Sequence, residues 1–347
     1  MRISKLIVGA FFLAGLALLC GMVWQVGIAD LLTSFRVVGF WIVPWILLES
    51  ITVLLHTAGW ATCFQPHQGP IPFWRLWLIR LAGSAINQVT PTATIGGEVV
   101  KVLLLESVLP RAQATAAVAI GKASFTLAQM LYLALGILYC THRLSIPVEL
   151  QLSLSLTVGM ILLGLLGFVA FQRYGLCSKL VRWLADFNIG QARLQRLHQY
   201  LVPIEAHLAA YYTSHPWRFG GSLVLHFLAF AFGSIQSFLL LRLLLGANAP
   251  QLADAVTAAV VIVALDQVFF FVPGSLGTFE GIRLTVLSTL GIAQAYGLAF
   301  GLMSRLENLF WNGLGLFAYA LCTRTALFPQ AGRSVASAPP VLPPTAP

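Results

Sequence analysis

Charge is what this sequence has least of. Only 9% of its 347 residues are Asp, Glu, Lys or Arg, while 59% are apolar, and its mean hydropathy is +0.87. So few charges cannot cover the surface of a soluble globule of this length, which places the chain in a bilayer. Acidic residues are the scarcer sign, 11 against 20 Lys and Arg, for a net charge of +9. The excess sits in loops between apolar blocks, as in segments held on the inner side of a membrane, so no nucleic-acid partner is expected. Five cysteines, Cys20, Cys63, Cys140, Cys177 and Cys322, stand apart with no C-x-x-C spacing. Their odd count and scatter support neither a disulfide framework nor a thiolate metal site. No H-E-x-x-H, G-x-S-x-G or histidine pair at ligand spacing is present, which removes the common zinc and serine hydrolase arrangements. Ile120-Gly121-Lys122-Ala123-Ser124 is similar to the end of a phosphate-binding loop, but Ala116 stands where the first glycine belongs and the run lies inside an apolar helix. The expectation is a protein that is not an enzyme and holds no cofactor or metal.

What the sequence does contain is a series of apolar blocks. A helix needs roughly 20 residues to cross about 30 Å of hydrocarbon, and Leu-rich continuous runs do not alternate as barrel strands would. The expected fold is therefore an all-α polytopic membrane protein. We expect about six full spans plus two re-entrant or interrupted helix pairs, roughly eight to ten membrane segments in all. One transmembrane domain is expected over residues 1–325, with a disordered cytoplasmic tail, rich in Pro and Ala, over 326–347. Arg2 and Lys5 at one end, and Arg324 and Arg333 at the other, place both termini in the cytoplasm. Leu6–Trp24 reads as the first span and Val38–Ala61 as the second, joined by an outer loop carrying Asp30 and Arg36. Within the second, Glu49 and His56 are two helical turns apart and share the face toward the bundle interior; a locally capped carboxylate and a transport role both fit them. Arg75 and Arg80 follow a Pro-marked loop. The basic stretch 173–218 is expected to be an amphipathic cytoplasmic segment, with Leu194, Leu197, Leu201, Ile204 and Leu208 as its apolar stripe on the inner leaflet.

Two stretches break the apolar pattern. Asn87 to Lys101 brings Pro91, Gly96 and Gly97 together with Glu98 and Lys101, between apolar pieces each too short to span. Asp266 to Arg283 does the same with Pro273, Gly274, Gly277, Glu280 and Arg283. Irregular backbone at membrane depth is tolerated where it is buried in protein or lines a wet cavity, and ionisable residues there are functional candidates. The stretches correspond position by position: Asn87-Gln88-Val89 to Asp266-Gln267-Val268, Glu98 and Lys101 to Glu280 and Arg283, and Lys122 in one following long helix to Arg305 in the other. With the loop charges, this predicts an inverted repeat with halves at about 1–143 and 150–325, the broken helices meeting at a central site. Each break frees the N-terminus of its second helix, whose N–H groups and partial positive charge suit an anion such as a lipid phosphate. Glu98 and Glu280 would cap those termini when the site is empty or pair with the neighbouring cations, while Asn87, Asp266 and Gln267 suit either binding or interhelical hydrogen bonding.

At these stretches the chain resembles the flippase-like transmembrane family named for lysylphosphatidylglycerol synthase. The resemblance rests on N-x-x-x-P with G-G-E-x-x-K at Asn87, Pro91, Gly96, Gly97, Glu98 and Lys101, and on P-G-S-L-G-x-x-E at Pro273 to Glu280, followed by Arg305. It covers about residues 5 to 325. It implies a bacterial inner-membrane helical bundle that moves lipids or lipid-linked molecules between leaflets, with membrane lipids of anionic or phosphate headgroup as partners. The chain lacks a basic residue within Thr92 to Ile95 that some relatives carry, and it lacks the soluble aminoacyltransferase domain of the full synthase, so lipid lysylation is not carried over. A membrane-embedded lipid-modifying enzyme and a non-transporting scaffold for envelope or hopanoid lipid synthesis are the alternatives.

Overall fold

A computed structural model describes residues 20–65, 71–90, 95–143, 148–185, 191–269 and 275–324. Among them every regular element is a helix. After a short helical piece at residues 20–26, the elements are α1 (Ile28–Val38), α2 (Ile42–Ala61), α3 (Phe73–Val89), α4 (Ile95–Leu105), α5 (Arg111–Arg143), α6 (Val148–Arg173), α7 (Leu176–Ala185), α8 (Gln191–Ser214), α9 (Pro216–Leu245), α10 (Leu252–Val268), α11 (Thr278–Thr289) and α12 (Gln294–Arg324). The expected loop around Asp30 and Arg36 is a correction: these residues are helical in α1, joined to α2 by a single turn of 3₁₀ helix at Gly39–Trp41. Gly27 and Gly39, both at positive φ, bound α1, so the chain bends there without leaving helix for long.

Three helices are long and apolar enough to cross a membrane among the described residues: Ile28–Ala61, Arg111–Thr141 and Pro216–Asn248. Gly159–Arg173 with Leu176–Ala185, bent by 74°, makes a fourth if the bent pair counts as one span. Most of the expected first span, and the C-terminal tail, lie outside the described residues. The outward faces carry what lipid requires: Met160, Leu163 and Leu166 on α6 and Val224 on α9 are more than half exposed.

Two apolar cores hold the bundle together. One joins Trp60, Ile79, Leu105, Ile120 and Tyr211, from α2, α3, α4, α5 and α8. The other joins Leu31, Trp45, Leu240, Ile282, Leu298 and Met303, from α1, α2, α9, α11 and α12. The seam between them is α2 packed along α9, fastened by Trp45 and Gln236: the Trp45 Nε1–H donates to the Gln236 carbonyl at 2.9 Å, and Gln236 Nε2 returns a bond to the Trp45 carbonyl at 3.3 Å. Small residues let helices from opposite ends of the chain approach closely, as membrane bundles require. Gly315 of α12 rests on Leu81 and Ala85 of α3, and Gly136 of α5 rests on Val260 of α10.

The basic stretch forms α7 and α8, and part of its apolar stripe is buried against protein. Ile204, Leu208 and Tyr211 are buried in the first core. Glu205 Oε1 accepts the Ser178 N–H at 3.0 Å, tying α8 to α7, and Tyr211 donates to the Thr62 carbonyl at 3.1 Å. Arg218 fixes the same corner through the Thr62 and Phe64 carbonyls. Of the predicted stripe, Leu197 is left facing outward. The helix α8 of this stretch packs on α5 and α6.

Candidate functional site

The first interruption is a helical hairpin whose two arms touch at glycines. A Cβ on Gly97 would strike the Gly83 carbonyl and the Asn87 side chain, and one on Gly83 would lie 2.7 Å from Lys101. That closeness lets Asn87, in the last turn of α3, accept the Gly97 N–H through Oδ1 at 2.6 Å, satisfying a free amide in the first turn of α4. Glu98 and Lys101 follow on α4 and pair at 2.9 Å. Lys122 of α5 approaches the other Glu98 oxygen at 3.9 Å. Pro91 lies outside the described residues; Gly96 stands beside Gly97 in the first turn of α4.

These side chains line a cavity of about 520 Å³ together with Arg80, Ser84, Trp60, Phe125, Gln129 and His226. Three cations, Arg80, Lys101 and Lys122, face one carboxylate, Glu98. Lys101 and Lys122 also lie 5.6 Å from the ring centres of Trp60 and Phe125, a cation–π arrangement that holds ammonium groups inside an apolar wall. Arg80 makes no hydrogen bond or ion pair among the described residues, although it lies within the electrostatic reach of Glu49 and Glu98. Its guanidinium faces the cavity without a hydrogen-bonded carboxylate, and such a group can form charge-assisted hydrogen bonds. Sequence reasoning missed it, having assigned Arg80 to the flank of a Pro-marked loop. The available signal was its place seven residues before Asn87, two helical turns along the same face of α3. Gln267, from the other interruption, reaches this same cavity.

The second interruption is built differently. Glu280, fully buried, spends one oxygen on the Gly277 N–H at 3.0 Å and both on Arg305, at 2.7 and 3.1 Å. Gly277 can accept this role because it adopts φ +74°, where a side chain would be strained. Arg305 further donates to the Ser275 carbonyl at 2.8 Å. Arg283 holds Asp266 with two parallel bonds of 3.1 and 2.9 Å, and both guanidiniums cover the Phe279 ring, at 3.2 and 4.4 Å from its centre. Two acids and two bases here neutralise one another. Pro273 and Gly274 lie outside the described residues. The sequence therefore named two equivalent sets of charges, and the structure gives them different balances: the first lines a cavity with an excess of cations, whereas Glu280–Arg305 and Asp266–Arg283 pair acid with base, the latter pair at the wall of a separate cavity.

An apolar groove of about 430 Å³ adjoins the cationic cavity. It runs between α4, α5 and α6, lined by Ile95, Val99, Val102, Ala119, Leu165 and Phe168, and it shares Glu98, Val118, Lys122 and Thr126 with the cavity. A charged chamber thus adjoins an apolar slot, the two sharing Glu98 and Lys122 at their boundary.

The description of the lysylphosphatidylglycerol synthase TM region matches residues 5–314. The chain belongs to this family. No curated protein and no solved structure matches it. Membership makes it a membrane protein of a lipid-handling family, and the resemblance read from the two interruptions is thereby shown.

Proposed function

We propose that this lysylphosphatidylglycerol synthase TM region protein is a translocase, moving an anionic lipid or lipid-linked molecule between the leaflets of a bacterial inner membrane. The observation that carries the reading is the continuity of cationic cavity and apolar groove. Arg80, Lys101 and Lys122 would receive the phosphate, Glu98 would release Lys101 to it, and the acyl chains would lie against Val99, Leu165 and Phe168. Exchanging the Glu98 carboxylate for a phosphate conserves the charge pairing, so entry of the headgroup need not leave a buried cation alone.

Alternating exposure would come from an inverted repeat. Four parallels support it. Asn87 and Asp266 each bond across their break to the second helix of the pair. Lys122 and Arg305, each on the long helix that follows, reach Glu98 and Glu280 of that break. The packing of α12 on α3 answers that of α5 on α10, and α2 lies against α9 at the centre. In this reading the open first site and the self-paired second site are the two states a pair of related sites would alternate between, with the basic loops and both termini cytoplasmic. The reading takes the two hairpins as interrupted pairs beside about six full spans, of which three, or four with the bent pair, are long apolar helices among the described residues. The protein is then a transporter and not an enzyme.

The test is leaflet exchange of fluorescent phosphatidylglycerol in vesicles holding the purified protein. Exchange faster than in empty vesicles, slowed by Lys101→Ala, supports the reading. Exchange no faster than in empty vesicles overturns it, and a lipid of altered mass recovered from those vesicles would establish the lipid-modifying enzyme instead.

A further inference from the structure

A second cavity, of about 340 Å³, lies between α2, α9, α10, α11 and α12 on the far side of a histidine pair from the first. Three carboxylates face it, Glu49, Asp266 and Glu307, with one cation, Arg283. Arg283 is committed to Asp266. Glu49 and Glu307 therefore share the cavity without a cation in ion-pair contact among the described residues, and they lie within electrostatic reach of one another. Glu307 Oε1 accepts a hydrogen bond from Gln236 Nε2. Two carboxylates facing one enclosed space at this depth repel with little screening, and a bound proton relieves that repulsion at no cost in volume.

Glu49 begins a file of polar groups on one face of α2, where Thr52 and His56 follow at three and seven residues. The Thr52 hydroxyl is buried beside the Glu49 carboxylate without forming a well-aligned hydrogen bond. His56 Nδ1 lies 2.8 Å from His226 Nδ1. One nitrogen of that contact must carry a hydrogen and the other a lone pair, so a single proton occupies it. His226 lines the first cavity, and its Nε2, buried against Gly59, has no partner. Phe125 and Phe230 surround the pair, their ring centres 5.0 and 5.1 Å from that of His56. This aromatic collar divides the two cavities and leaves the imidazoles as the polar link between them.

We propose that Glu49 and Glu307 bind a proton, and that the His56–His226 contact carries it toward the headgroup cavity once the unbonded Thr52 hydroxyl turns to bridge Glu49 and His56, so that lipid movement is coupled to proton movement. Each hop breaks one O–H or N–H bond and makes another, consuming no co-reactant. The charges around the file set the direction of coupling. Arg80 from α3 and Lys101 from α4 act on both histidines, while Arg80 also acts on Glu49, and Arg283 from α11 on Glu307. Asp266 from α10 is held by Arg283, and Tyr132 from α5 bonds Ser234 of α9 at 2.6 Å. Arg80 and Lys101 face the same cavity as His226. An anionic headgroup neutralises them, so headgroup and proton favour each other's arrival, and by linkage the effect is mutual. The coupling rests on the translocase reading; the proton site does not.

Two measurements separate the two claims. In vesicles exchanging fluorescent phosphatidylglycerol, the initial rate should rise several-fold under one polarity of pH gradient, and the Glu49→Gln, Glu307→Gln protein should lose that dependence while still exchanging lipid. Wild-type exchange that is indifferent to the gradient overturns the coupling and leaves the translocase standing; no exchange above empty vesicles removes the translocase and the coupling together. Infrared difference spectra of the protein in lipid nanodiscs decide the proton site by themselves. A protonated-carboxyl band lost on raising pH in the wild type, and missing from the double glutamine variant, supports the site. Identical spectra from the two proteins overturn it.

Discussion

At the scale of single residues, the decisive feature is that similar charges were given different company. Lys101 and Arg283 occupy equivalent positions, three residues after a glutamate. Lys101 pairs with its own Glu98 at the edge of a cavity, whereas Arg283 is gripped by Asp266 and stacked on Phe279. Asn87 stands where Asp266 does and carries no charge to offer Lys101, so the first site keeps an excess of positive charge and the second does not. Arg80 adds to that excess. A charge-assisted hydrogen bond contributes about 1.5–3 kcal/mol, and each 1.4 kcal/mol is about tenfold in affinity. Arg80→Ala should therefore weaken binding of short-chain phosphatidylglycerol in detergent about tenfold or more, with Arg80→Lys recovering part of the loss; isothermal titration reads both. Unchanged affinity would move the headgroup out of this cavity.

At the scale of elements, the two hairpins are held by different forces and should fail differently. The first depends on backbone proximity, since α4 lies against α3 where Gly97 meets Gly83. Gly97→Ala must spread the arms and break the Asn87 cap, and overpacking of this kind costs about 1–3 kcal/mol. It should lower the melting temperature in detergent and abolish lipid binding, whereas Gly220→Ala, at an open position on α9, should leave both unchanged. The second hairpin depends on ion pairing. Arg305→Ala strands Glu280, which is fully buried, and removing one partner of a buried pair costs about 3–5 kcal/mol. Thermal unfolding should show a large loss in Arg305→Ala that is partly restored by adding Glu280→Gln. Equal losses in the single and double variants would mean that the pair contributes nothing beyond packing.

At the scale of the whole molecule, the proposed translocase requires the two halves to move relative to one another, and the interface of α5 with α10 is one of the places where they meet, beside α2 on α9 and α12 on α3. A Cβ placed on Gly136 would stand 3.1 Å from the Val260 Cβ, a little closer than the roughly 3.5–4.5 Å of a disulfide, so a small parting of the helices admits the bond. Gly136→Cys with Val260→Cys, in a background freed of other cysteines, should stop leaflet exchange on oxidation and recover it on reduction. Exchange that survives the cross-link would exclude relative motion at this interface. The sequence by itself determined the class and the breaks: scarcity of charge demands a bilayer, and Pro, Gly and paired charges inside apolar runs demand an interior site, because local composition fixes what lipid will tolerate. It also marked Glu49 and His56 as sharing one helical face, since that follows from helical period alone. Only the tertiary structure decided that the first set of charges keeps a cationic excess while the second pairs acid with base, that Arg80 and Gln267 enter the cationic cavity, and that Ile204 and Leu208 of the 173–218 stripe are buried on protein. Those outcomes depend on which helices face one another across distant parts of the chain, and charge pairing over such separations has no local signature in the order of residues.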